Sequence, residues 1–397
     1  MKNIFLSVLL SILVLCACIF TLMSCGENES TNGNESTNGN ESTNGNDIYY
    51  EVSGDGTCAK VIKYSGTSTK VNVASTYKGL PVTSIGRCVF YNCSSLTSIT
   101  IPDSVTSIDE LAFYNCSSLT SITIPDGVTN IGDSAFYKCT SLTNVVIGDG
   151  VTSIGKDAFS DCSSLTNITI PDSVTAIGDG AFSHCLSLKS VTCPALAISY
   201  IHTNKLQTVV ITSGDSIGYN AFYDCDSLTS ITIPDSVTTI GYNAFSKCSG
   251  LTSIEIPDSV TSIDPNAFTE CSNLTSITIP DSVVRIGSGA FTWCSSLKSV
   301  IIGDGVTDIG SSAFSNTAIT TLVIPKNIRS IDEYAFSGCN ALTSIYFKGT
   351  ERDWINNRNY NYNTNFTNVK RYYYSENTPT TSGNYWYYDR NGNIAVW

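Results

Sequence analysis

Cys93-Ser94-Ser95-Leu96-Thr97-Ser98-Ile99-Thr100-Ile101-Pro102-Asp103-Ser104-Val105-Thr106-Ser107-Ile108-Asp109-Glu110-Leu111-Ala112-Phe113-Tyr114-Asn115 is one copy of a unit that fills most of this chain. Its leading leucine returns at Leu119, Leu142, Leu165, Leu188, Leu206, Leu228, Leu251, Leu274 and Leu297, then at Ile319 and Leu342. Eight of the eleven intervals are 23 residues; the others are 18 (188 to 206), 22 (206 to 228) and 22 (297 to 319). A fixed period of this length containing Leu-x-x-Ile-x-Ile is the arithmetic of a repeat solenoid.

The chemistry of one unit explains its shape. Ile99 and Ile101 alternate with Ser98 and Thr100, which is the period-two spacing of a short strand with one face buried. Pro102 then ends the strand, because proline has no N–H for a ladder. Val105 and Ile108 bring the chain back to the core, and Asp or Gly turns a second corner. Ala112-Phe113 anchors the far side, where a short helical turn is expected. One coil cannot bury its apolar face alone; stacked coils bury a continuous column. Equivalent strands then pair in parallel at about 4.8 Å, so twelve coils make a rod or arc roughly 60 Å long.

The pattern Leu-x-x-Ile-x-Ile-Pro-x-x-Val-x-x-Ile-Gly-x-x-Ala-Phe-x-x-Cys resembles the BspA-like, or Treponema-type, leucine-rich repeat family. The resemblance covers residues 82–347 and includes eleven Phe-anchored copies. It implies a right-handed leucine-rich-repeat coil with a parallel short-strand sheet on one face, carried by a secreted or surface protein of a host-associated bacterium. It also implies adhesion to a protein partner on a host or neighbouring cell.

Ten of the sixteen cysteines stand three residues before the repeat leucine: Cys93, Cys116, Cys139, Cys162, Cys185, Cys225, Cys248, Cys271, Cys294 and Cys339. Thr203 and Asn316 hold that place in the other two coils. A slot that accepts Cys, Thr or Asn calls for a small buried hydrogen-bonding group, so free thiols are expected. Cys193 replaces a strand isoleucine and should be buried. Cys58 and Cys88 have no ladder role, which leaves room for a disulfide in the N-terminal cap. Zinc needs four convergent ligands, and a linear row with only His184 and His202 does not supply them.

The outward strand positions supply the candidate binding face: Thr100, Thr123, Val146, Thr169, Thr192, Val210, Thr232, Glu255, Thr278, Ile301, Val323 and Tyr346. A parallel row runs from Ser98 through Asn144 and Thr208 to Ser344. These are good sheet formers with few of the Trp, Tyr and Arg side chains that dominate binding hot spots. Asp follows the strand-ending Pro or Gly at 103, 126, 149, 172, 235, 258, 281 and 304. Such a row either attracts cations or caps its own turns. Between Phe182 and Phe222 one coil is shortened and lacks its Ala-Phe anchor, with Tyr200 and His202 in its place. A kink or thin spot is expected there.

The ends differ from the body. Residues 47–81 read as a β cap, with Ile48-Tyr49-Tyr50-Glu51-Val52 and Val61-Ile62-Lys63-Tyr64 around Gly54-Asp55-Gly56. The solenoid is assigned to 82–349. An aromatic-rich cap follows at 350–397, with Asn391-Gly392 as a hairpin turn. Its Trp354, Tyr385, Trp386, Tyr387, Tyr388 and Trp397 are candidate ligand contacts. The stretch Tyr385-Trp-Tyr-Tyr-Asp-Arg-Asn-Gly-Asn-Ile resembles one repeat of a choline-binding module, which implies glycan or cell-wall binding as an alternative function.

At the other end, Lys2 precedes an apolar run from Ile4 to Met23. Leu22-Met23-Ser24-Cys25 resembles a bacterial lipoprotein signal, which implies removal of 1–24 and lipid on Cys25. The rival is an uncleaved anchor, because about 20 apolar residues span a bilayer. Residues 25–46, with Asn-Glu-Ser-Thr-Asn-Gly three times over, read as a flexible tether. Either way the body lies outside the cytoplasm, and the membrane is met only through the anchor.

Composition narrows the function. Acids outnumber bases 34 to 21, so the formal net charge is −13, which argues against nucleic acid and anionic membrane surfaces. No Ser–His–acid order, phosphate loop or metal motif stands out, so neither an enzyme nor a cofactor is expected. A length of 397 residues, at about 150 per domain, suggests two or three domains. The repeat replaces that count with one elongated domain plus caps, either a binding protein or a passive spacer.

Overall fold

The computed structural model describes residues 47–397 apart from 202, 357–362, 364, 365, 367, 368, 381 and 382. The apolar run, Cys25, the tether and His202 therefore lie outside the described residues. Among the described residues no helix is long and apolar enough to cross a membrane.

The body is the expected solenoid. The strands run parallel, and residues one repeat apart stand opposite each other: Ile122 beside Val145, and Ile277 beside Val300. A second ladder of two-residue strands forms at the other corner, where Ser107-Ile108 pairs with Asn130-Ile131 and then Ser153-Ile154. Between the ladders lies one core. Leu96, Val105, Ile108 and Phe113 are fully buried, as are their equivalents along most of the stack. The coil from Leu251 has no assigned strand on the first face. Its in–out alternation nevertheless persists, with Glu255 exposed and Ile256 buried.

The Ala-Phe side departs from the helical turn expected there. Leu111 and Asn115, at φ 59° and 57°, are left-handed, and the same two places in the other Phe-anchored coils are left-handed too. A left-handed residue every fourth position prevents helical i→i+4 bonding. The chain forms overlapping tight turns instead, with Ala112 N donating to Asp109 O and Tyr114 N to Leu111 O. The intervening N–H groups all point to the next coil: Leu111 to Asp133 O at 2.9 Å, Phe113 to Ala135 O at 2.7 Å and Asn115 to Tyr137 O at 2.7 Å. A left-handed L-residue costs roughly 1–2 kcal/mol. Three inter-coil bonds per coil, each worth about 1 kcal/mol net, offset that cost.

Phenylalanines stack along this side. Phe90, Phe113, Phe136, Phe159 and Phe182 form one run of nearly parallel rings, with centroids 5.0–5.6 Å apart. Phe222 through Phe336 form another, 5.1–5.2 Å apart. Tyr64 closes the first run at 5.1 Å, and Phe366 closes the second at 5.3 Å.

The ends are sealed by strand addition. Ile48–Val52 pairs antiparallel with Ala59–Tyr64, which pairs in parallel with Leu80–Ile85. At the far end Lys370–Tyr374 continues the first ladder, and Tyr385–Tyr388 and Ile394–Val396 close a hairpin around Gly392 at φ 77°. Asp389 fastens that turn by accepting from the N–H groups of Asn391 and Asn393, both at 2.8 Å.

Candidate binding surfaces

The thiol row behaves as a hydrogen-bonding ladder. Cys116 Sγ donates to Phe90 O at 3.1 Å, Cys139 to Phe113 O at 3.3 Å and Cys248 to Phe222 O at 3.1 Å. Each thiol thus satisfies a carbonyl of the preceding coil, and the ladder cysteines are unbridged. Burial pushes the Cys139, Cys185 and Cys225 thiols up to about 12. They stay protonated at neutral pH and are poor nucleophiles. Cys193 is buried in the strand opposite Ile211, and burial raises its thiol to about 12 as well. Cys58 carries no disulfide; hydrogen bonds from Ser53 and Thr83 hold its thiol below the usual range.

One assignment changes. Counting back from Ile319 puts Asn316 in the thiol slot, but Thr317 occupies it and donates to Phe314 O at 3.0 Å. Asn316 instead takes the left-handed position, at φ 58°. That coil is one residue short between the slot and the leucine, so the distance from Phe314, and not from Ile319, sets the register.

Hydroxyls do on the surface what thiols do inside. Thr120 Oγ1 donates to Thr97 O at 3.2 Å, and Thr143 Oγ1 to Thr120 O at 3.1 Å. A second row runs Thr129 to Thr106 O and Thr152 to Thr129 O. Two members of the Asp row cap forward onto the next coil, while Asp172 accepts from Thr212 and Ser213. Asp126 Oδ1 accepts from Asp149 N at 3.1 Å, and Asp281 Oδ1 from Asp304 N at 2.7 Å. No group of three metal-ligating side chains occurs among the described residues.

The proposed strand face is assembled as one row. Thr169, Thr192, Val210 and Thr232 stand opposite one another in successive rungs, and Thr123 stands beside Val146. Thr100, Thr123, Val146, Thr169, Thr232, Glu255, Thr278 and Ile301 are exposed, while Thr192, Val210, Val323 and Tyr346 are half-buried. Tyr346 leaves the free face because it stacks on Tyr372 of the cap, with centroids 4.8 Å apart.

The aromatic C-terminus is not assembled as one surface. Trp386 is 0% exposed, donates from Nε1 to Phe347 O at 3.0 Å and meets Tyr346, Tyr374 and Tyr388 edge-on. Trp354 is buried against Phe347. Both tryptophans therefore pack as lids on the last coil. Neither presents its ring to solvent as the sequence reading expected. Tyr388 and Trp397 remain exposed, Tyr385 and Tyr387 are half-buried, and Tyr387 packs on Trp397 at 4.2 Å.

The shortened coil creates a third surface. The first strand ladder passes straight through it, from Asn167–Thr169 to Ser190–Cys193, Thr208–Ile211 and Ser230–Thr232. The second ladder stops at Ala176-Ile177 and restarts at Ser216-Ile217, and the ring column stops at Phe182 and restarts at Phe222. A short helix, Ala195–Ile198, fills part of the space and buries Ala197 and Ile198. Two cavities of about 750 and 710 Å³ open beside it, and Ser199, Tyr219 and Ala221 line both. Tyr219 is 70% exposed and Leu186 is 67% exposed. Repeat arithmetic alone does not single these residues out. The signal for them lies in the 18-residue interval and in the aromatic residues flanking Phe222.

With this geometry in hand, the chain belongs to the BspA-type leucine-rich repeat family: that family's model matches residues 83–209, 215–343 and 261–382 in six copies. Leucine-rich repeat proteins of this family are binding scaffolds displayed at surfaces, and no catalytic family is indicated. A leucine-rich repeat protein from Bacteroides ovatus is similar at 28% identity and a TM-score of 0.50, over 82% of this chain and 98% of that one. The leucine-rich repeat protein of T. pallidum is 30% identical over 53% of this chain and 91% of its own, at a TM-score of 0.42. A leucine rich cell surface protein from Faecalibacterium prausnitzii is 29% identical, over 79% and 96%, at 0.37. The comparison with curated proteins returns no match.

Proposed function

We propose that this chain is a surface-displayed adhesion scaffold, held by lipid on Cys25, whose strand face receives a protein partner. The observation that carries the reading is the row Thr169, Thr192, Val210 and Thr232, which stays in register across the shortened coil while the other side of the molecule is interrupted. Across the shortened coil this face carries hydroxyls and no charge, so it can make broad contact without desolvating charge. Burial of Trp354 and Trp386 weighs against the alternative, a glycan or cell-wall site built on the C-terminal aromatics.

The test displays the full chain on cells and scores their attachment to an array of matrix proteins. Thr123→Arg with Thr169→Arg should abolish attachment, and Lys138→Glu on the ring side should leave it unchanged. Attachment that survives the double substitution would refute the strand-face reading. If cells bearing the chain attach no better than bare cells, the chain is a spacer. Mass spectrometry of the mature N-terminus checks the anchor: an intact Met1 would refute lipid on Cys25.

A further inference from the structure

We infer that the groove across the shortened coil is a saccharide site, separate from the strand face. Tyr219 forms the wall shared by its two cavities and is backed by Tyr242, stacked at 5.5 Å with the rings 7° from parallel, so a supported aromatic ring stands at the groove. Tyr223 lines the first cavity and Leu186 the wall toward the preceding coil. In the same cavity Asn220 Oδ1 is buried and has no hydrogen-bond partner among the described residues.

The polar part of this cavity's lining, Ser199, Thr203, Asn204 and Asn220, suits a ligand rich in O–H groups. The negative face of a tyrosine ring attracts the weakly positive C–H groups that a sugar ring presents on its flat side. The cavity's one cation and one anion, Lys205 and Asp224, balance, and Asp172 and Asp215 line the second cavity, so an anionic sugar is disfavoured. Each cavity falls within the usual range for a small ligand, about 300–1,000 Å³, and their shared wall lets one extended molecule occupy both. A proline-rich peptide would also suit tyrosine faces. It lacks backbone N–H donors at proline and carries no hydroxyls, so it would leave the polar lining of Ser199, Thr203 and Asn204 unmatched.

The test is calorimetric titration of the detergent-solubilised full chain with neutral hexaoses of glucose, mannose, xylose and N-acetylglucosamine, and with decaproline. At least one hexaose should bind. Tyr219→Ala should weaken it at least tenfold, about 1.4 kcal/mol. Tyr219→Phe should keep the affinity within a factor of about three, and Thr123→Arg on the strand face should not change it. If Tyr219→Ala unfolds the chain, Leu186→Asp on the opposite wall takes its place with the same expected loss. No saturation by any hexaose at millimolar concentration, binding indifferent to both wall substitutions, or tighter binding of decaproline would each overturn the proposal.

Discussion

The coils from Leu96 to Leu188 and the single coil from Leu188 to Leu206 share a strand side and differ everywhere else. Each regular coil places four features around the core: the long strand, the Pro-Asp turn, the two-residue strand and the Phe turn. With 18 residues in place of 23, the short coil keeps Val191 and Cys193 facing Val209 and Ile211. It gives up the two-residue strand and the ring. The loss is one-sided because strand pairing needs only a local run of alternating residues, whereas the Phe turn must complete the circuit to reach its neighbours. A missing circuit opens a groove without cutting the sheet.

Alkaline titration should produce the largest effect on this comparison. Burial holds Cys139 in the regular run and Cys193 in the short coil at about 12, against about 8.5 for an unfolded thiol. Below pH 8.5 both states hold the proton and the stability is intact. Between about 8.5 and 12 only the unfolded chain releases it, so each such thiol removes about 1.4 kcal/mol of stability per pH unit. Urea midpoints should therefore fall steeply from pH 8 to pH 10, and a flat profile would contradict sealed thiols. Alkylation of native protein should label Cys58 first. If Cys193 is labelled ahead of Cys139, the short coil is leaky and not merely thin.

Ring deletion comes next. Phe268→Ala removes a ring with neighbours at 5.1 Å on both sides and should cost about 3–5 kcal/mol in urea unfolding. Phe182→Ala sits at the edge of the gap, with one ring neighbour at 5.6 Å. It should cost less by about 0.5–1.5 kcal/mol, one stacking contact. Equal costs would mean that the groove edge is as tightly held as the middle of the column.

The smallest effect concerns the thiol bonds. Cys248→Ala strips a 3.1 Å bond from Phe222 O and should cost about 1–2 kcal/mol. Cys225 reaches Thr203 O across the short coil at 3.7 Å, so Cys225→Ala should cost measurably less. The reverse order would show that the short coil depends on its thiol more than a regular coil does.

Period and alternation make the solenoid, its parallel pairing and the outward row legible in the amino-acid order alone, because each follows from which residues recur and how far apart. Spacing cannot separate Thr317 from Asn316 as the slot residue, since a one-residue deletion can be absorbed on either side of the slot and only the turn geometry says which. The burial of Trp386, expected to be exposed, escapes the sequence for a related reason. Sequence shows an exposed-looking aromatic cluster, but the open end of a column must be covered, and the largest apolar side chain nearby covers it.

Local pattern by itself determined what the coils contribute: which side chain enters the core, where proline ends a strand, and that a small thiol or hydroxyl slot precedes the leucine. Only the tertiary structure decided what happens where a coil is incomplete. Whether missing residues close up, kink the stack or leave a groove depends on the two complete neighbours. Those neighbours are fixed by strand pairing on one side and stand a full ring apart on the other.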